Sequence, residues 1–253
     1  MHAGPSELRW QAMYHKDGPS FAELMKQALS STQKGYDLIA TKFDHTPFRT
    51  PDPILEAMMR AIGPDRSIGS ALDVCCGTGA AVKHLRPLCR DKVVGVDFSQ
   101  GMLDEAALRT KDARGDAKVE LVIGDAMALP FDGTFDVVTS VGAFGHVQPH
   151  EEDRFVGGIA RALVPGGRFV FATGPRPTPR HAWYWQAHVF NAVMRVRNHL
   201  LKPEFIMYYL TFLWPEVLPL LERHGFEVEV QKGRCPSPYE RALIVVATKK
   251  NRA

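Results

Sequence analysis

Two carboxylates and a pair of glycines form the pattern in this chain best equipped for chemistry. Asp73 lies in the apolar run Ala71-Leu-Asp73-Val-Cys75-Cys76, Gly77 and Gly79 follow at once, and Asp97 closes Val93-Val-Gly-Val-Asp97, eighteen residues past Gly79. A buried strand that runs through a glycine turn into a helix offers main-chain amides and the positive end of the helix dipole to an anionic group. An acidic residue at the tip of the next strand can accept hydrogen bonds from both hydroxyls of a ribose. The spacing therefore predicts the nucleotide-binding half of a doubly wound sheet, with the ligand beyond the carboxyl ends of the strands. A dinucleotide fingerprint needs a third glycine for close approach to pyrophosphate, and Val82 stands in that place. This argues against NAD or FAD.

Two further stations lie downstream. Gly124-Asp125-Ala126 follows a third apolar run, and the fourth run leads into Thr139-Ser-Val-Gly142-Ala-Phe-Gly145-His146. His146 is the best candidate for a general base, because a neutral imidazole near pH 7 can take a proton from a hydroxyl nucleophile. A histidine that only hydrogen-bonds its loop explains the position equally well. His181 and His188 share a helix face with Arg195, a pattern typical of a solvated stripe, and no histidine set has metal-ligand spacing.

The elements that must position these groups alternate from residue 70 onward. Strands are expected at 70–75, 92–97, 118–123, 134–141 and 168–173, rich enough in Val, Leu, Ile and Phe for a sheet covered on both faces. A helix from about Glu151 to Leu163 carries Phe155, Ile159 and Leu163 at spacing four, and Pro165-Gly166-Gly167 turns the chain into the fifth strand. Phe226–Val230 and Ala242–Thr248 are too close for a crossover helix and must pair as an antiparallel hairpin.

Before the sheet, residues 1–66 read as a helical cap. Phe21, Leu24, Met25, Ala28 and Leu29 make one stripe, Tyr36 to Phe43 a second helical segment, and Ile54 to Ile62 a third helix closed by Gly63-Pro64. Residues 67–174 are expected to form the nucleotide-binding core, 175–214 a helical lid insertion that closes over its mouth and lines the substrate, and 215–253 a helix and hairpin that complete the sheet. In the insertion, Trp183, Ala187, Phe190, Met194 and Leu201 are expected on one face of a helix spanning 181–201. His181, Tyr184, His188, Asn191 and Arg195 then fall on the other face.

Asp73-Val-Cys-Cys-Gly77-Thr-Gly79, Asp97 and Asp125-Ala126 together resemble the S-adenosylmethionine site of class I methyltransferases. Met127-Ala-Leu-Pro-Phe131 is similar to the small-molecule, ubiquinone/menaquinone-methyltransferase-like branch. The resemblance spans roughly residues 70–174 and 215–248. It implies an α/β, doubly wound, Rossmann-like sheet of seven strands with an antiparallel final hairpin, and S-adenosyl-L-methionine as cofactor. The implied contacts are Cys75, Gly77, Thr78 and Gly79 in the turn, Asp97 on the ribose, and Asp125 with Ala126 at the adenine. Phe98 and Met102 either cover the adenine or serve as core. Asp73, the buried carboxylate, is read as orienting the turn through partners such as turn amides.

The expected reaction is methyl transfer to an O, N or C nucleophile of a small molecule by direct in-line displacement, without a metal. The aromatic run Phe205–Trp214 suggests an apolar or aromatic acceptor; core packing explains the run equally well. Competing readings are a protein or nucleic-acid methyltransferase, a nicotinamide oxidoreductase, or a non-catalytic module that binds S-adenosylmethionine or its demethylated product.

Composition bounds these readings. At 253 residues, 45% apolar and 23% charged, the chain is an ordinary globular sequence, and a net charge of +3 does not call for a nucleic-acid partner. Four cysteines without C-x-x-C spacing suit a reduced, cytoplasmic compartment. Pro5 with polar neighbours makes a targeting peptide an unexpected feature, and the longest apolar run is about half the ~20 residues of a spanning helix.

Overall fold

A computed structural model describes residues 15–251. The expected cap segment before His15 lies outside them. Three helical segments precede the sheet: α1 (Phe21–Ala28), α2 (Thr32–Ile39) continued by a 3₁₀ turn over Ala40–His45, and α3 (Asp52–Ile62). Ser20 and Ser31 start α1 and α2 by accepting from the Glu23 and Lys34 amides. α3 begins two residues earlier than expected. Pro51 caps it and Pro53 sits in the first turn, where a missing N–H costs nothing.

Seven strands follow: β1 (Ile68–Val74), β2 (Cys89–Asp97), β3 (Lys118–Ile123), β4 (Phe135–Ser140), β5 (Leu163–Thr173), β6 (Phe226–Gln231) and β7 (Leu243–Lys249). They form one sheet in the order β3-β2-β1-β4-β5-β7-β6, the first five parallel and β7 antiparallel to both neighbours. The crossovers are α4 (Ala80–Leu85), α5 (Gln100–Thr110) and α6 (Glu152–Ala162), with α7 (Ala182–Leu200) and α8 (Leu218–Arg223) between β5 and β6. Two apolar layers cover the sheet. One gathers Phe135, Phe155, Phe169 and Phe226, the other Met58, Val82, Leu85 and Ile244, all at most marginally exposed. Phe155, Ile159 and Leu163 pack inward as their spacing required. Pro165-Gly166-Gly167 does not precede β5 but lies within it, where the pairing with β4 shifts register and Gly166 adopts a positive φ.

Two helices turn their apolar residues the other way. On α1 the most buried side chain is Gln27, while Phe21 and Met25, and Leu29 just beyond the helix, are exposed. On α7, Ala187 and Met194 are buried, but so are Asn191, from the opposite predicted face, and Asn198. Asn191 bonds the amide and carbonyl of Tyr209, and Asn198 bonds those of Phe205. These side-chain amides satisfy the strand-free backbone of 205–209, and that decides which face of α7 turns inward. Trp183 and Phe190 are half-buried against Tyr209, and Leu201 is exposed. No helix among the described residues is long and apolar enough to cross a membrane.

Candidate active site

β1 is flanked by β2 on one side and β4 on the other, so the crossovers diverge between β1 and β4. A cleft opens at this switch point, beyond the carboxyl ends of the strands, enclosing about 730 Å³ including its mouth. Its floor is Asp73, the Cys75–Thr78 turn and Asp97; Val141 to Ala143 and His146 form the side facing β4.

Gly77 has φ +51°, a region that L side chains rarely adopt, and a Cβ built there would meet nothing within 4 Å. The turn is thus bare on its cleft side. Its Gly77 amide donates to Asp97 Oδ2 (2.8 Å), while Oδ1 of Asp97 accepts from the Ser99 amide (2.9 Å). Two carboxylate oxygens offer about four acceptor positions, more than these amides fill, which leaves Asp97 able to accept from a ribose hydroxyl. Gly79 lies outside the wall; a Cβ there would press on Ala106 and Thr110 of α5 at 3.0–3.1 Å. Val82, in place of the third fingerprint glycine, is buried against Gly95 of β2. Close packing of helix on strand is kept, with the glycine moved to the strand.

Asp73 is 1% exposed and accepts a hydrogen bond from Thr139 Oγ1 of β4 at 2.7 Å. Its partner is a neighbouring strand and not the turn amides, which corrects the expectation from sequence. Burial first, and then the Asp97 charge, push its carboxyl up to about 7, against the opposing Thr139 bond. Burial likewise raises Asp97, opposed by the Ser99 and Gly77 amides. The Cys75 and Cys76 thiols are pushed far up, by burial and then by Asp97 and Asp73, and stay neutral.

The turn offers fewer donors for an anionic group than its sequence suggested. The Cys76 amide goes to Val96, that of Gly77 to Asp97, and that of Gly79 to Cys76. A cation also lines the cleft: Arg49, held by Asp52 at 2.7 Å and Asp44 at 3.7 Å. The cap is tied to the turn by Thr78 Oγ1, which donates to Asp44 (2.6 Å), and to the start of α5 by Ser99 Oγ and the Gly101 amide, which donate to Asp37 (2.6 and 3.0 Å). Met102 is buried and Phe98 half-buried, both in the wall. Asp125 and Ala126 are not part of the wall. Asp125 is exposed and accepts from the Met127 amide (2.8 Å), yet its charge reaches the Cys75 thiol.

His146 is joined by a residue the sequence did not single out. Its Nδ1 lies 2.5 Å from the Ile206 carbonyl and so carries the proton, which leaves Nε2 to accept from the Tyr36 hydroxyl at 2.7 Å. Burial lowers the His146 pKa against the pull of the Ile206 carbonyl, so the ring is neutral near pH 7. Burial, then Asp97, raises the Tyr36 hydroxyl well above its ordinary value, so it stays protonated. The cleft's aromatic lining comes from the cap, as Tyr36, Phe43 and Phe48, and from Phe98, and not from the 175–214 insertion expected to supply it. From the insertion, Phe205 stacks behind Tyr36, and Phe212 stacks on Phe144 (4.2 Å, 10°) inside the sheet core. No signal in the order of residues marks Tyr36, Asp44 or Arg49, which reach the site only through tertiary packing.

A sheet of this order, with β7 antiparallel and a two-glycine turn beneath a ribose-competent carboxylate, is the framework of Rossmann-like methyltransferases. A family model described as "Methyltransferase domain" matches residues 71–167. The chain is 36% identical over 170 residues to a demethylmenaquinone methyltransferase of Thermus thermophilus, covering 63% of this chain and 75% of that one. It is 40% identical over 112 residues to the protein of that name from Lactococcus lactis, covering 43% of each, so it spans less than half of that relative's length. Two solved structures share the fold. An O-methyltransferase family protein of Burkholderia thailandensis has TM-score 0.65 at 16% identity, over 98% of this chain and 71% of that one. A DhpI–SAH complex has TM-score 0.63 at 20% identity, over 92% of this chain and all of the other. The chain belongs to the class I S-adenosylmethionine-dependent methyltransferases.

The cleft suits that family's cofactor on its own chemistry. Two buried carboxylates, Asp73 and Asp97, face the space, and Asp73 is short of hydrogen bonds. Such a wall favours a ligand carrying positive charge beside a ribose and opposes a pyrophosphate.

Proposed function

We propose that the protein transfers a methyl group from S-adenosylmethionine to a nucleophilic O, N or C atom of a small apolar or aromatic molecule, of quinol type. The observation that carries the acceptor class is the cap's aromatic lining beside the Tyr36–His146 pair. The demethylmenaquinone methyltransferases that the chain resembles support it.

When bound, S-adenosylmethionine supplies a methyl group on a positively charged sulfur, already activated for in-line displacement. The residues' part is alignment and exclusion of water. In this reading Asp97 holds the ribose, Asp73 the amino-acid ammonium and Arg49 the carboxylate. Gly77 gives room at the turn, Phe98 and Met102 cover the adenine, and Asp125 with Ala126 closes the open edge beyond it. His146 is the base, acting through Tyr36: the acceptor's proton passes to the Tyr36 oxygen as the Tyr36 proton passes to His146 Nε2.

Radiolabelled methyl transfer tests the proposal, with naphthoquinols, phenols, a protein extract and tRNA as acceptors. Label in the organic-extractable quinol or phenol products supports it. Label confined to protein or RNA, or to none, overturns it.

A further inference from the structure

Among the described residues, nine of the twelve exposed large apolar side chains fall on α1, on α7 or directly after them. On α7 they are Trp185, Val189, Val193, Val196 and Leu200, each 58–70% exposed. Their spacing of four, four, three and four keeps them within an arc of about 80° on a helix of 3.6 residues per turn. The helix is amphipathic inside out, with asparagines turned to the protein and valines turned away from it. Nothing about its own packing asks for that apolar face. Phe21, Met25 and Leu29 extend the apolar surface on α1, and Arg197 joins the two helices by donating to the Ser30 carbonyl at 3.1 Å.

Charge decides what this face meets. His188, Arg195 and His199, all exposed, border the stripe on one flank and Arg197 on the other, and no Asp or Glu occurs from Arg176 to Pro203. An apolar stripe flanked by Arg195 and Arg197, in a stretch of chain without a carboxylate and with a tryptophan near one end, fits the headgroup–acyl boundary of an anionic lipid bilayer. A second copy of this chain would bring cations against cations. We propose that α7, with α1 beside it, is the surface by which the protein docks on anionic membranes, lying in the interface plane. The insertion carrying α7 also supplies Phe205 and Ile206, which back the Tyr36–His146 pair, so docking would place the cleft next to the lipid phase.

Sedimentation with extruded vesicles tests this apart from any turnover. The full-length protein is expected to bind phosphatidylglycerol vesicles, to bind phosphatidylcholine weakly, and to release from the former as salt rises. Val189→Asp/Val193→Asp, at exposed positions that leave the fold intact by circular dichroism, should lower the partition coefficient at least about tenfold. Arg195→Gln should lower it about fivefold. Trp185→Phe should remove most of the lipid-induced blue shift in tryptophan emission. The proposal is overturned by a wild-type protein that ignores anionic vesicles, or by stripe variants that bind them normally. It is also overturned if those variants turn a sedimenting dimer into a monomer while vesicle binding is absent. Methyl transfer is measured in the same preparations without lipid, so either reading can fail alone.

Discussion

Replacing Asp73 by asparagine should make the free protein more stable and its cofactor complex weaker. Burial holds the Asp73 carboxyl at about 7 against an ordinary 3.8. At ~1.36 kcal/mol per pH unit that difference is worth about 4 kcal/mol for a group that is 1% exposed. The sign follows from proton counts. A carboxyl raised in the native state binds its proton more tightly there than in the unfolded chain. Its contribution is full below about pH 4, is lost as pH rises toward 7, and is flat above. Asparagine does not titrate, and its side-chain oxygen still accepts from Thr139. At pH 8 Asp73→Asn should therefore gain up to about 4 kcal/mol over wild type, and at pH 4 the two should agree. S-adenosylhomocysteine should bind the variant about 10- to 100-fold more weakly, because its ammonium loses a charged partner worth ~1.5–3 kcal/mol. Urea unfolding at pH 4 and pH 8 with calorimetric titration reads both quantities. A variant less stable than wild type at pH 8, with unchanged affinity, would refute the assignment of Asp73 as a destabilising carboxylate kept for the ligand.

Other substitutions separate the remaining roles. Asp97→Ala should weaken S-adenosylhomocysteine by about 2–4 kcal/mol and also lower the melting temperature, since the Gly77 and Ser99 amides lose their acceptor; titration and melting check this. His146→Ala and Tyr36→Phe should each lower turnover on a hydroxyl acceptor by roughly 10²–10⁴ with cofactor affinity held; steady-state rates near wild type for either would remove the relay. Phe212→Ala should cost about 3–5 kcal/mol in urea unfolding, as expected of a core ring and not of a pocket wall.

Much of this architecture is legible in the chain because parallel strands buried on both faces leave runs dominated by Val, as at Val93-Val-Gly-Val96 and Val137-Val138. Gly77 and Asp97 are readable for a similar reason: local geometry demands a positive φ at one and a strand tip at the other. The cap contacts are not readable. Asp44 meets Thr78 across 34 positions, Tyr36 meets His146 across 110, and neither pair leaves a mark in local periodicity. The α7 periodicity shows two faces but not which turns inward. That choice is made by Asn191 and Asn198 serving backbone that has no strand partner. Asp125 reads as a ligand by its place after β3, and is found at the exposed edge capping its own turn.

The central claim is that the switch-point cleft holds S-adenosylmethionine and not a dinucleotide, and a paired ligand titration tests it most directly. At a hundredfold excess over its dissociation constant, S-adenosylhomocysteine should add roughly 2.7 kcal/mol to the unfolding free energy of the wild-type protein. NAD at the same concentration should add nothing. Equal stabilisation by NAD, or none by S-adenosylhomocysteine, would contradict the account.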